Sequence, residues 1–375
     1  MNIVFISNFI NHHQAPFSDE MAKYPNINYK FICHETMPEE FKKKGYSTEF
    51  ENRGYVLKAY LPNEKSKCLI EEDNADVVIG QIVHKDFLNC SDKKHIIFIF
   101  SERIFKSSKF SFKNLGRFIK YFFLLKKMQK HNNKVYLLAA SCYAKHDFKL
   151  CGFPQANILK WGYFIYPSDI EKKEILSKFS TNKRLHIVWV SRMEKWKRPS
   201  DALKILIIFK KKGFNCDLVY IGDGKENHKC KKLVTKLKLN DSVSFLGFQS
   251  NEQVRNTLRT SSFLLSTSNR YEGWGATVNE GMTFGCVPIV AKTVGASGFL
   301  VTKENGIIYS KISDLESMSF TLDEFRRMAI NSKNTIDEKW NAKIATENLL
   351  SQISHIKKYG NLSKEIPLDE PGSIN

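Results

Sequence analysis

The chain has 375 residues, 42% hydrophobic and 26% charged, with 58 Lys and Arg against 39 Asp and Glu and a formal charge of +19. That length exceeds one ordinary core and suits two domains of about 150 to 200 residues, and the composition excludes a disordered or collagen-like chain. The positive excess points to an anionic partner (nucleic acid, an acidic membrane surface or phosphorylated substrates) or to a general lysine excess that selects none of them.

In chain order the first element is NIVFIS, a strand. The opening MNIVFISNF has no basic region and no small-residue cleavage site, so a signal peptide is not expected and the protein should stay in the cytosol. YKFIC, DVVIG, HIIFIF and VYLLAAS follow, alternating with longer helical patterns. Such runs, apolar on both faces, are what parallel strands covered by helices look like, and they predict α/β architecture. None approaches the ~20 apolar residues of a bilayer span. The eight cysteines, at 33, 68, 90, 142, 151, 216, 230 and 286, show no CxxC pair and no zinc-like spacing; they are expected to be reduced packing residues.

From Arg103 to His146 there is no Asp or Glu. At helical spacing Lys113, Arg117, Lys120 and Lys127 share one face, with Leu115, Phe118, Ile119, Phe122 and Leu125 opposite. This basic amphipathic helix either packs on the sheet with a solvated lysine face or docks on anionic lipid, each basic residue near the surface then contributing about 1 kcal/mol.

The strand series breaks at Trp161–Arg184 and resumes with LHIVWVS, CDLVYIG, VSFLG, FLLSTS and VPIVA. The expected organisation is a first domain over 1–165, a second over 166–340, a helix over 341–358 packing back towards the first domain, and a flexible tail over 359–375 with two prolines and little apolar content.

Four signals in the second half bear on chemistry. In VSRMEKWKRPSDALKIL, Arg192 and Lys197 follow a strand's carboxyl end, placed to meet a phosphate, and Pro199 opens a helix. In LVYIGDGKEN, Gly222 and Gly224 flank Asp223 in a strand-to-helix turn whose exposed amides favour polar or anionic groups. VSFLGFQSNEQV carries a capping box, Ser250 before Gln253. In RYEGWGATVNEGM, the loop Tyr271 to Gly275 leads into a helix whose amino terminus is a ready anion site. Glu272 and Glu280 bracket that turn, which suits two clamps better than the facing acid and base of a hydrolase.

In this order and spacing the signals resemble the donor-binding half of family 4 of the nucleotide-sugar glycosyltransferases. The resemblance rests on R-x4-K (Arg192, Lys197), IGDG, FLG, the E-x7-E element Glu272 to Glu280, and GCVPIVA with Gly295 following. It is good over about Leu185 to Ser310; the first half matches in layout, in NFINHHQAP and in LAASCYAKHDFKLCGFP.

What the resemblance implies is the GT-B fold, two facing Rossmann-like domains with parallel sheets and a cleft between them. It also implies retaining transfer of a sugar from a nucleoside diphosphate sugar, UDP favoured, without a metal held by a DxD motif; no DxD occurs. By that carry-over Arg192 and Lys197 hold the diphosphate, Glu272 touches the donor sugar, the amides of Gly273, Trp274, Gly275 and Ala276 meet the phosphate, and Glu280 meets the ribose. His12, His13, His84 and Glu102 are candidates on the acceptor side, each with a bland alternative: satisfied structural histidines, and a carboxylate paired with Arg103. Departures are Ser191 in place of a glycine, Gly281 in place of an alanine, and Asn8 to Gln14 in place of a glycine pair.

The function expected is thus a cytosolic glycosyltransferase, peripheral on the inner face of the cytoplasmic membrane, that needs no cofactor and adds a sugar to a lipid-linked or glycan acceptor of a surface polysaccharide. A GT-B nucleotide-sugar epimerase and a basic nucleic-acid-binding protein are the alternatives, although no nucleic-acid motif occurs.

Overall fold

The computed structural model describes residues 1–42, 47–82, 87–88, 95–107 and 112–375. They gather into two compact units, one of Met1–Tyr166 with Trp340–Asn375, the other of Pro167–Lys339.

The first unit contains β1 (Asn2–Ser7), β2 (Asn28–Cys33), β3 (Val56–Lys58), β4 (Val77–Gly80), β5 (Ile96–Ser101), β6 (Val135–Ala139) and β7 (Ile158–Lys160). They pair in the order β3-β2-β1-β4-β5-β6-β7, all parallel. The second unit contains β8 (Leu185–Val190), β9 (Cys216–Ile221), β10 (Val243–Phe245), β11 (Phe263–Ser266), β12 (Val287–Ala291) and β13 (Ile307–Tyr309). Their order is β10-β9-β8-β11-β12-β13, again all parallel. The runs predicted from apolar content are strands here; β3, β7 and β13, of three residues each, are too short to show a pattern.

Each sheet is wound outward in both directions from its first strand, so β1 and β4 form one switch point and β8 and β11 the other. Loops leaving adjacent strand ends on opposite faces open a crevice there, where ligands of such sheets bind. Aromatic packing holds the second unit behind its crevice: the Phe263 ring lies 4.7 Å from that of Phe325 and 5.1 Å from that of Phe209, both edge-on. Pro199 opens the helix Pro199–Lys211, and Ser250 and Gln253 cap Asn251–Thr260 reciprocally, as expected. The cysteines within the described residues are free thiols, mostly buried, and burial pushes Cys33 up to about 12.

Two expectations are corrected. Residues 359–375 are not a flexible tail. Gln352, buried on the helix Ala342–Tyr359, donates to the carbonyls of Ser363 (3.1 Å) and Gly372 (2.9 Å) and accepts from the Ser363 amide at 2.8 Å. The chain then runs along β7, where the Lys160 amide donates to Ser373, the Gly372 amide to Lys160 and the Asn375 amide to Ile158, each at 2.8 Å. It therefore covers an otherwise open sheet edge, and its two apolar anchors, Leu362 and Ile366, are buried.

The second correction concerns the basic helix, Phe112–His131. Its buried side is Asn114, Leu125 and Met128, with Phe118 and Tyr121 against the core, so the inward face lies between the two predicted stripes. Arg117 turns inward and donates to the Ile104 carbonyl at 3.3 Å. Phe112, Leu115, Ile119 and Phe123, 46% to 91% exposed, form the outer row, among the exposed Lys113, Lys120, Lys126 and Lys127.

Candidate active site

After β8 the chain is stitched to the turn after β9. The Ser191 amide donates to the Ile221 carbonyl (3.0 Å), that of Met193 to Asp223 (2.9 Å) and that of Glu226 to Met193 (2.8 Å). Such close approach requires the glycines: at φ 113° a Cβ on Gly222 would lie 1.9 Å from the Ser191 oxygen, and at φ 153° one on Gly224 would lie 2.8 Å from the Met193 oxygen. Their amides are engaged internally. Gly222 donates to the Gly247 carbonyl at 2.7 Å, and Gly224 to Asp223 Oδ1 at 2.7 Å. Asn227 Nδ2 donates to the same oxygen at 2.5 Å, and these two bonds hold the Asp223 carboxyl below the usual carboxylate range. Gly222, Asp223 and Gly224 thus brace the loop that carries Arg192 and Lys197.

The same loop is tied to the chain after β11. Thr267 Oγ1 donates to the Lys197 carbonyl at 2.7 Å and accepts from Trp189 Nε1 at 2.9 Å, while the Asn269 amide donates to the Trp196 carbonyl at 2.9 Å. Between them Arg198 adopts φ 50°, ψ 54°, a left-handed backbone that costs a residue with a Cβ about 1–2 kcal/mol. Substituting Arg198→Gly is therefore expected to raise stability by about 1 kcal/mol, read as a higher urea midpoint at unchanged slope; an unchanged or lower midpoint would show that the backbone is not strained there.

Lys197 lays its ammonium over the Trp196 ring, 4.3 Å from the centroid, and pairs with the Glu272 carboxylate. Ser268 Oγ donates to the same Glu272 oxygen at 2.9 Å. The pair is largely shielded, with 14% and 12% of the two side chains exposed. Arg192 is exposed, its guanidinium 6.0 Å from the centroid of the same Trp196 ring. The structure thus brings Arg192, Lys197 and Glu272 together around an indole that sequence reasoning passed over, although it stands between the two cations in the chain. Ser268, Thr267 and Asn269 were also missed; small polar residues after a strand give no signal of what they hold.

Beyond Glu272, Gly275 takes φ 93°, and a Cβ there would meet Val294 Cγ1 at 2.7 Å. The amides of Gly273, Gly275 and Ala276 make no hydrogen bond among the described residues. Trp274 turns its side chain inward, 1% exposed, donating to Asn279 Oδ1 at 2.8 Å, so its backbone rather than its ring belongs to the site. Glu280, half-buried, lies in the first turn of Thr277–Thr283. Gly281 is a glycine for packing reasons, since a Cβ would lie 2.7 Å from Leu264.

In the first unit the loop after β1 packs His12 against His13, ring centroids 3.8 Å apart and tilted by 47°, with Tyr163 5.8 Å from His13. Glu102, just past β5, accepts from Lys106 Nζ at 2.9 Å and from the Tyr163 hydroxyl at 3.2 Å. The alternative pairing with Arg103 is not what forms: that guanidinium lies 4.3 Å over the Tyr143 ring. His84 lies outside the described residues.

Two parallel sheets of Rossmann winding, the second with cations and a carboxylate at its switch point, are the fold of the solved GT-B glycosyltransferases. Residues 171–336 match the family described as Glycosyl transferases group 1. No curated protein matches the chain. Among solved structures it is similar to a glycosyltransferase from Rickettsia africae, 16% identical with a TM-score of 0.66, the match covering 95% of this chain and 98% of that one. It is similar as well to Anabaena HepE in complex with UDP and glucose (12% identical, TM-score 0.64, 94% and 99% covered). The lipopolysaccharide outer core galactosyltransferase WaaB is a third (17% identical, TM-score 0.64, 94% and 99% covered).

Proposed function

We propose that the protein is a glycosyltransferase that moves a sugar, with retention of anomeric configuration, from a UDP-sugar to a lipid-linked or glycan acceptor of a surface polysaccharide. The observation that carries the reading is the shielded Lys197–Glu272 pair at the second switch point, beside Arg192. As the bond between the anomeric carbon and the diphosphate breaks, negative charge grows on the departing oxygen. Lys197 and Arg192 are cations already in position to stabilise it, and preorganised charge of this kind contributes more than charge that must move into place. Glu272 then exchanges part of its contact with Lys197 for the sugar hydroxyls, the amides of Gly273 to Ala276 receive phosphate oxygens, and Glu280 holds the ribose. The acceptor oxygen bonds to the anomeric carbon and its proton leaves with the diphosphate. No metal is required for these steps.

Working at the inner face of the cytoplasmic membrane fits the outer row of Phe112, Leu115, Ile119 and Phe123 among lysines, since apolar side chains can enter the interface while ammonium groups meet anionic lipid. No helix among the described residues is long and apolar enough to cross a membrane. The solved relatives support the donor and the acceptor class by what they are: one holds UDP and glucose, another is a lipopolysaccharide galactosyltransferase.

Thermal unfolding with UDP-, GDP-, dTDP- and ADP-sugars tests the donor. The UDP compound at about 100 times its dissociation constant should add roughly 2.7 kcal/mol, and Glu280→Ala should remove most of that gain, each protein being compared with its own ligand-free form. Transfer of labelled sugar to membrane acceptors should persist in EDTA and give a product of the donor's anomeric configuration. Inversion, or release of an epimerised sugar without acceptor, would defeat the proposal.

A further inference from the structure

Where β4 and β5 end, the first unit opens into a cavity of about 380 Å³. Three cationic side chains reach it, Arg103, Lys106 and Arg117, against the single carboxylate of Glu102. Glu102 is held by Lys106 and by the Tyr163 hydroxyl. Asp147, which does not line the cavity, feels the charge of Arg103, and its carboxylate is taken by the amides of Ile104 and Phe105 at 2.9 Å each. The lining therefore keeps an excess of positive charge. Two planar guanidinium groups and an ammonium suit the oxygens of a phosphate, which guanidinium can take in pairs.

The rest of the wall is mostly apolar or aromatic, with Ile82, Phe100, Ile104, Tyr121 and Tyr163 beside the polar Gln81 and Ser101. Arg117 and Tyr121 come from the helix Phe112–His131, the same helix that carries the exposed apolar row. The body of one helix, about 10 Å across, separates the cations from the side chains suited to a bilayer surface. A headgroup with a phosphate at its root and an alkyl chain beyond it matches both.

We propose that this cavity binds the phosphate or diphosphate of a lipid-linked acceptor while the adjoining helix meets the bilayer that holds its chain. The inference rests on the glycosyltransfer reading and names the acceptor chemistry for it. Cations that grip the acceptor's own phosphate orient the sugar or hydroxyl attached to it, so charge near the first switch point selects lipid phosphates over neutral glycans.

The test is titration of the whole protein, with UDP saturating so that the donor site is occupied, using geranyl diphosphate, inorganic diphosphate, geraniol and phosphatidylglycerol vesicles. Geranyl diphosphate should bind most tightly of the soluble probes. Lys106→Ala and Arg117→Gln should each weaken it about 10-fold, with UDP stabilisation unchanged, whereas Ile119→Ser with Phe123→Ser should lower vesicle binding and spare geranyl diphosphate. Three results overturn the proposal: no binding of geranyl diphosphate by the unaltered protein, equal binding by Lys106→Ala and Arg117→Gln, or inorganic diphosphate binding as tightly, which makes the cavity a site for free phosphates. Loss of vesicle binding alone in those two variants assigns the cations to bilayer headgroups and overturns it too. Failure of UDP to stabilise the protein is a separate result, read on the other unit.

Discussion

Replacing Lys197 with alanine is expected to lower turnover about 10²- to 10³-fold at saturating donor, the loss found when one preorganised group facing developing charge is removed. The reason lies in how firmly the ammonium is placed. Its carbonyl is held by Thr267, its charge rests on the Trp196 ring, and Glu272 fixes its tip. Glu272 would be left with Ser268 as its hydrogen-bond partner, so some stability should go as well, and Lys197→Ala with Glu272→Gln separates the effects: it should regain stability and not turnover. Wild-type turnover in Lys197→Ala, with the fold intact by circular dichroism, would remove this residue from the chemistry.

The largest effect on stability is expected for Gly222→Ala. Positive φ alone costs an alanine about 1–2 kcal/mol, and Gly213, at φ 87° with nothing within 4 Å, should show that much and no more. At Gly222 the added Cβ would stand 1.9 Å from the Ser191 carbonyl oxygen, a backbone atom that cannot rotate away. Overpacking of this kind adds about 1–3 kcal/mol, so Gly222→Ala should lose roughly 3 kcal/mol or more, with Gly213→Ala as its reference in the same unit. Equal urea midpoints for the two variants would mean that the loop after β8 yields freely, and the bracing role given to the IGDG turn would fall.

How far the sequence could be read follows from the range over which each signal acts. Strands such as LHIVWV declare themselves because apolar residues on both faces are a local fact. The pairing of Lys197 with Glu272 crosses 75 positions; the resemblance named both residues, and neither it nor their spacing foretold the pair. The IGDG turn was found but its bracing contacts were not, since nothing in four residues tells that the Gly222 amide meets the Gly247 carbonyl. On the basic helix the period was sound and the inward direction was not: the sheet decides that, and it takes Leu125, Met128 and Arg117 while leaving Leu115 and Ile119 outside. Residues 359–375 looked unstructured because their order comes largely from Gln352 and the edge of β7, with few apolar anchors to signal it.

The first unit takes its chain from two places, Met1–Tyr166 and Trp340–Asn375, while the second is one continuous stretch. During synthesis Pro167–Lys339 can complete its sheet as soon as it clears the ribosome, since domains generally fold as units. The first unit must wait. Until the helix Ala342–Tyr359 and the strip along β7 have been made, the helix Ala15–Met21 lacks its packing partner and the edge of the sheet stands open. The unit whose synthesis starts first is therefore finished last, and a chain cut short in the final stretch would carry a folded second unit beside an unfinished first one exposed to chaperones and proteases.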